Sequence, residues 1–210
     1  MQAAIAADSI ERVCVAIADE GLCVVPDFLP VGDIAADARR RDDAGLLRPA
    51  GIGRGAGRIE RTSTRGDRIA WLDDADPTPA LQFARGALES LRCALNASLF
   101  LGLVDFEAHY ALYPAGAIYG RHRDRFRHDD ARVISCVLYL NERWQSSDGG
   151  ALRIHLPGGG WRDVLPIAGT LAIFLSESFE HEVLPAKRER LALTGWFRRR
   201  ALESLHAGER

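Results

Sequence analysis

The chain has little cysteine, and what it has is not spaced for metal. Cys14, Cys23, Cys93 and Cys136 are the only four in 210 residues, and none forms a Cys-x-x-Cys pair. That pattern gives no zinc knuckle and no disulfide framework; in mostly apolar segments, these read as buried free thiols of a reducing compartment. Net charge is also small. Twenty-seven basic residues against 29 acidic leave −2, so no global field points to nucleic acid or an anionic membrane. The N-terminus, Met-Gln-Ala-Ala-Ile-Ala-Ala-Asp, lacks the basic start and long apolar core of a signal peptide. No apolar run reaches transmembrane length. No internal repeat is visible. A cytoplasmic location is expected. Apolar content of 47% over this length suits one well-cored domain, 1–210.

Two halves differ in period. In residues 1–100, Asp8-Ser-Ile-Glu11 has the form of a capping box, and Ile10, Val13, Cys14, Ile17 and Ala18 then recur at helical spacing up to a stop at Gly21. Leu22 to Val25 reads as a strand closed by Pro26. A second helix is expected from Val31 to Arg41. Asp76-Pro-Thr78-Pro79 then opens a long helix with Leu81, Ala84, Leu88, Leu91 and Leu95 as its apolar stripe. Between these helices, Leu47 to Arg68 alternates glycine and arginine and reads as a mobile loop. From Gly51 to Arg68, five Arg against Glu60 and Asp67 give it +3.

In residues 101–200 the period becomes two. Phe106, Ala108, Tyr110 and Leu112 face one way; Glu107, His109, Ala111 and Tyr113 face the other. Strands follow at 132–140, 149–156, 161–166, 170–175, 181–184 and 190–198, broken by turns such as Pro157-Gly-Gly-Gly160. Short strands with glycine-rich turns suggest a sandwich or barrel. His109, on the Tyr113 face, reads first as a satisfied structural histidine, with a place lining the site's entrance as the alternative. Ala201 to Arg210 reads as a short helix or frayed tail.

The chemistry-bearing stretch runs from Tyr113 to Phe197. His122 and Asp124 are two apart, so on a strand both side chains leave the same face. His181 completes a set of two imidazoles and one carboxylate, which leaves metal positions open as in non-haem Fe(II) oxygenases. Nine residues on, Arg190 enters an apolar strand, where an arginine must find an anion or reach solvent. Two other motif readings fail. His122-Arg-Asp124 also spells a kinase catalytic triplet, but Asp129 stands where an Asn is needed and no Asp-Phe-Gly follows. Arg65-Gly-Asp67 is an adhesion tripeptide only by chance in such a chain.

The residues together resemble the 2-oxoglutarate/Fe(II) dioxygenases, and within them the HIF-type prolyl hydroxylases and their bacterial relatives. The resemblance is carried, in order over roughly residues 54–198, by Arg65-Gly-Asp-Arg-Ile-Ala-Trp71, Tyr113-Pro, Tyr119-Gly-Arg-His-Arg-Asp124, Tyr139-Leu-Asn-Glu-Arg-Trp144, Gly149-Gly-Ala-Leu-Arg-Ile154, His181-Glu-Val183 and Arg190 to Trp196. Ala192 and Trp196 stand where a nucleic-acid demethylase of the superfamily has Asn and a second Arg.

The resemblance implies a fold that is mainly β with α: a double-stranded β-helix (jelly roll) core at 101–200, braced by helices from 1–100. It implies Fe(II) held by His122, Asp124 and His181, with 2-oxoglutarate and O2 as co-substrates and ascorbate as a reductant. Arg190 would pair the distal carboxylate of 2-oxoglutarate. Tyr139, Thr194 and Tyr113 would line that pocket, with Val183 and Leu152 as walls. Arg65, Arg132, Trp196 and the 54–68 loop would meet a protein substrate bearing a target proline, elongation factor Tu being the candidate for bacterial members. A monomer is expected. The loop after Asp124 and the Ser-Glu-Ser-Phe-Glu before His181 depart from the animal pattern. Two alternatives stay open: an oxygenase for a small molecule or another residue, and a non-catalytic cupin-like metal-binding module.

Overall fold

Alternation along one strand sets the layers of the β-rich half. In Arg190–Arg199, Leu191, Leu193 and Phe197 join one apolar cluster with the helices, while Ala192 joins a second cluster with Tyr139 and Val183. Each fully buried Leu or Phe of this kind contributes roughly 1.5–3 kcal/mol, so the two faces of that strand commit the sheet to a helical layer on one side and a second sheet on the other.

The computed structural model describes residues 7–51, 64–73, 78–124 and 131–200. Residues 52–63 of the expected loop lie outside these, with Arg54, Arg58 and Arg61. So do Asp76 at the expected helix start, the charged stretch 125–130 after Asp124, and the tail 201–210. In chain order the elements are α1 (Ala7–Asp19), β1 (Leu22–Val25), α2 (Gly32–Asp43), β2 (Arg48–Pro49), β3 (Arg68–Trp71), α3 (Pro79–Leu99), β4 (Leu103–Tyr113), β5 (Tyr119–His122), β6 (Arg132–Tyr139), β7 (Leu152–His155), β8 (Trp161–Val164), β9 (Leu171–Leu175), β10 (His181–Val183) and β11 (Arg190–Arg199). A seven-stranded sheet runs β1-β9-β6-β11-β4-β3-β2, and a four-stranded sheet runs β5-β10-β7-β8. The described pairings are antiparallel. This is the double-stranded β-helix, with α1 and α3 packed on each other and α1 also on β1.

The large sheet's outer face and the helices share one core, which includes Val13, Ile17, Leu81, Leu88, Leu91, Tyr110 and Leu193. Its inner face and the small sheet share the other, which includes Ala111, Val137, Leu152, Ile154 and Phe174. Thr78 caps α3 as expected: its side-chain oxygen accepts from the Leu81 N–H at 3.4 Å, and Pro79 follows in the first turn. Gly21 closes α1 in the left-handed region (φ 72°), with its N–H donating to the Ala16 carbonyl at 3.1 Å.

Some expectations need correction. α1 begins at Ala7, so Asp8 to Glu11 lie inside the helix and the expected capping box is instead its first turn. Its carboxylate at Asp8 still favours the positive end of the helix. Cys93 is exposed while the other three thiols are buried, because it lies off the 81-84-88-91-95 stripe of α3. The loop's two ends are ordered structure: Arg48–Pro49 pairs with Arg68 and Ile69, and Leu47 and Ala50 are buried. Proline is tolerated there because β2 is the sheet's edge.

Close approach at one position fixes how β11 meets β4. A Cβ added at Gly195 would lie 2.5 Å from Phe106 Cζ, 2.7 Å from the Glu107 carbonyl oxygen and 2.9 Å from Ala108 Cβ. One of these is backbone and cannot turn aside. Gly195→Ala is therefore expected to destabilise the fold by about 1–3 kcal/mol, read as a lower urea midpoint; an unchanged midpoint would mean the two strands can part at no cost.

Candidate metal centre and co-substrate cavity

Direct pairing of His181 with His122 across β10 and β5 sets the metal centre. Cross-strand partners share a face, and the two rings lie 4.3 Å apart between centroids. Asp124 was expected to join them from the same strand. Instead β5 ends at His122, and Asp124 comes round in the bend beyond it. Its Oδ1 lies 3.6 Å from His122 Nε2 and its Oδ2 3.5 Å from His181 Nε2. One donor atom from each of the three falls within 4.8 Å of the others.

Neighbours that the sequence reading missed aim these donors. His122 Nδ1 is 2.8 Å from the Gly120 carbonyl and His181 Nδ1 is 3.3 Å from that of Phe179. A carbonyl only accepts, so each Nδ1 carries a proton and the other ring nitrogen, Nε2, is the one turned toward Asp124. Tyr119 stacks on His122 at 3.6 Å, and Phe174 meets His181 edge-on. Ser135 Oγ donates to Asp124 Oδ2 at 2.7 Å and lies 2.9 Å from the Ser176 hydroxyl. Ser135 shares a face of β6 with Val137 and Tyr139, so that alternation could have placed it.

Protonation fits a divalent cation. Burial opposes charge on Asp124, yet His181, His122 and the Ser135 hydroxyl hold its carboxyl well below the usual range. Burial pushes His181 down to about 4, against the pull of Asp124. At neutral pH the cluster offers one carboxylate and a neutral imidazole at His181, as metal binding requires. Two nitrogens and one oxygen suit Fe(II), and also admit Zn, Co or Ni.

The cluster opens on a cavity of roughly 300 Å³. Three rungs across the large sheet line it. At the inner end, β11 pairs Arg190 with Tyr113. The Arg190 side chain is buried at 2% exposure, donates from Nε to the Gly150 carbonyl at 3.0 Å, and has its guanidinium 5.1 Å from the rings of both Tyr113 and Tyr139. Among the described residues no carboxylate pairs with it. A buried cation without an anion is strongly unfavourable. Beside it the Tyr139 hydroxyl is buried and faces the Arg190 guanidinium without a close hydrogen bond, and burial pushes its pKa up to about 12 against the pull of Arg190. Both features fit a small ligand with a carboxylate at this end. Tyr139 lies beneath the wall rather than on it, being fully buried, whereas Tyr113, Thr194, Leu152 and Val183 line the cavity.

The middle rung is Trp71, His109, Thr194 and Val137 in register. The outer rung is Glu107, Trp196 and Ser135. There the Arg132 guanidinium lies 3.5 Å over Trp196 and pairs with Glu107 at 3.2 Å. Arg65 also lines the cavity, but Asp67 takes its charge at 2.8 and 3.0 Å and its guanidinium lies over Tyr119. It braces the ring behind His122 more directly than it offers a free cation. His109 corrects its first reading: it is 2% exposed, its Nδ1 has no partner, and it stands between Trp71 and Trp196.

Residues 108–198 match the family described as the 2OG-Fe(II) oxygenase superfamily. A crystal structure of a Pseudomonas putida prolyl-4-hydroxylase shares 49% identity and a TM-score of 0.85, covering 90% of this chain and 99% of that one. The chain belongs to the 2-oxoglutarate/Fe(II) oxygenases, in their prolyl hydroxylase branch. A Trichoplax adhaerens prolyl hydroxylase, solved with a hypoxia inducible factor oxygen degradation domain peptide, matches at 26% identity and TM-score 0.81, covering 96% of this chain and 92% of that one. Among curated relatives, human prolyl hydroxylase EGLN3 is 29% identical over 199 residues, 90% of this chain and 83% of its own length. Prolyl hydroxylases of this family use Fe(II), 2-oxoglutarate and O2, and the donor cluster and the buried Arg190 are where this chain can hold the first two.

Burial of His109 has a pH consequence. Burial pushes its pKa down to about 3, with Arg65 and Arg132 acting the same way and Asp124 against them. Below pH 6.5 the unfolded chain takes up a proton that the folded chain refuses, so stability falls with pH until about 3. His181 adds the same sign down to about 4. His109→Phe should flatten the fall by up to about 1.4 kcal/mol per pH unit between these limits, measured by urea unfolding at several pH values. Parallel curves for the two proteins would contradict this burial.

Proposed function

We propose that the protein hydroxylates a prolyl residue of a protein substrate, with a bacterial elongation factor Tu as the candidate target. The carrying observation is the buried Arg190 guanidinium that lacks a carboxylate, set in the cavity that also holds His122, Asp124 and His181. A metal-binding module needs no such cation; a 2-oxoglutarate oxygenase does. The prolyl-hydroxylase relatives support the substrate class.

When bound, Fe(II), 2-oxoglutarate and O2 supply the oxidation: the co-substrate leaves as succinate and carbon dioxide, and one oxygen atom enters a substrate C–H bond. The chain's residues do the rest. His122, Asp124 and His181 would hold the metal on one side and leave the other open. Arg190 would bind the distal carboxylate of 2-oxoglutarate, and the Tyr139 hydroxyl would reach it as a donor. Thr194 and Leu152 would wall the co-substrate and keep water from it. Trp71, Trp196 and Arg132 line the part of the cavity away from Arg190, where a peptide would enter.

The experiment is 2-oxoglutarate turnover with Fe(II), ascorbate and O2, with and without purified elongation factor Tu, and mass spectrometry for a gain of one oxygen on a prolyl peptide. A hypoxia inducible factor oxygen degradation domain peptide is the second probe. His122→Ala should abolish the gain. Arg190→Ala should raise KM for 2-oxoglutarate by about tenfold or more, a buried charged hydrogen bond being worth several kcal/mol at most; Tyr139→Phe should raise it less. Succinate formed with neither probe modified would move the search to another substrate; no succinate despite bound iron would leave the binding module.

A further inference from the structure

Two residues that line the cavity carry polar groups with no place in holding metal or the distal carboxylate. His109 on β4 is buried and its Nδ1 lacks a hydrogen-bond partner; the Trp196 Nε1–H on β11 is buried without one too. Their rings lie 5.5 Å apart between centroids, and Trp71 closes on His109 at 4.7 Å. Both residues line the cavity. Leaving such groups unpaired is unfavourable unless a ligand completes them.

What ligand completes them follows from their chemistry. An indole N–H can only donate, so the ligand must bring an acceptor. A neutral imidazole brings one donor and one acceptor. The charged side chains nearby are already engaged: Glu107 with Arg132, and Asp67 with Arg65. The station therefore offers neutral donors, which suit an uncharged carbonyl rather than a carboxylate or phosphate. A proline has no backbone N–H, so around the target residue a prolyl peptide presents carbonyls. The station sits on the middle and outer rungs, His109 opposite Thr194 and Trp196 opposite Glu107, where a peptide threaded past the metal would pass.

We propose that His109 is a specificity-determining residue: with the Trp196 indole N–H, it hydrogen-bonds a backbone carbonyl of the target peptide. This rests on the prolyl-protein reading above.

The test is a split of kinetic constants in the full chain with Fe(II) and 2-oxoglutarate, using the two prolyl probes named above. His109→Phe should raise KM for the prolyl substrate by about tenfold, the usual effect of one lost buried hydrogen bond. KM for 2-oxoglutarate should move by less than about twofold. His109→Asn, which keeps a donor near Nδ1, should recover much of the loss, and Trp196→Phe should act in the same direction as His109→Phe. Folding is checked by the thermal shift on adding Mn(II) with 2-oxoglutarate under anaerobic conditions. Should His109→Phe lack that shift, Trp196→Phe and His109→Asn carry the comparison. The proposal is overturned if KM for 2-oxoglutarate rises in place of that for the peptide, or if the variants match the wild type on a prolyl probe that the wild type hydroxylates. A wild type that consumes 2-oxoglutarate yet modifies neither probe overturns the prolyl reading and this inference with it.

Discussion

A guanidinium buried without a counter-ion is the constraint around which this molecule is arranged. Arg190 opens β11, the strand with two long antiparallel neighbours, β4 and β6. Its charge cannot escape to water, so the surrounding structure must hold it rigidly. Asn141, just past β6, does part of this. Its amide donates to the Pro166 and Leu191 carbonyls at 2.9 Å each and accepts from the Leu191 N–H at 2.7 Å. Two of these three bonds hold Leu191, the residue next to Arg190. Gly150 adds a carbonyl from the other side, and its own φ of 71° keeps the backbone close, since a Cβ there would lie 2.8 Å from that of Ala186. The cation is thus fixed in position while its preferred partner, a carboxylate, is left to the ligand.

The metal end uses a different device. There the charge is negative, on Asp124, and two imidazoles converge on it. Sheet pairing delivers the imidazoles; backbone carbonyls set their tautomers; serines turn the carboxylate. The cavity therefore has one end that wants an anion and one that wants a cation, and a divalent metal with a carboxylate-bearing co-substrate would supply both. Neither end is satisfied by the protein's own side chains, which separates a site from a structural ion pair such as Arg198 with Asp105.

Much of this was legible in the sequence, and the rest was hidden for physical reasons. Period-two alternation gave the inner and outer faces of β4, β6 and β11, and hence which residues line the cavity. The His-x-Asp spacing, taken with the surrounding motifs and the family resemblance, named the candidate ligands, although the expected common strand was wrong: the bend after His122 does the same work, and a two-residue spacing does not distinguish them. Arg190 could be read as paired or exposed from its charged neighbours; only burial decides. Cys93 and the ordered ends of the glycine-arginine loop were misjudged because composition reports average character, while pairing of Arg48–Pro49 against β3 depends on residues twenty positions away. Second neighbours such as Ser176, Gly120 and Asn141 carry no local signal, since their roles exist only after the strands meet.

His109 shows where such reading misleads most. A histidine on an apolar strand is usually satisfied by the fold, and its place on the Tyr113 face is the one hint otherwise. Here its Nδ1 has no partner among the described residues, while burial, with Arg65 and Arg132 nearby, pushes its pKa to about 3. The Trp196 indole and the Tyr139 hydroxyl share that condition on the same side of the large sheet. A fold that completes Asn141 with three hydrogen bonds has the means to satisfy buried polar groups. That it leaves three unmatched around one cavity is best understood as recognition held in reserve. The polar groups are preorganised for a ligand, so that binding completes their bonds, and a mismatched ligand leaves them unpaired.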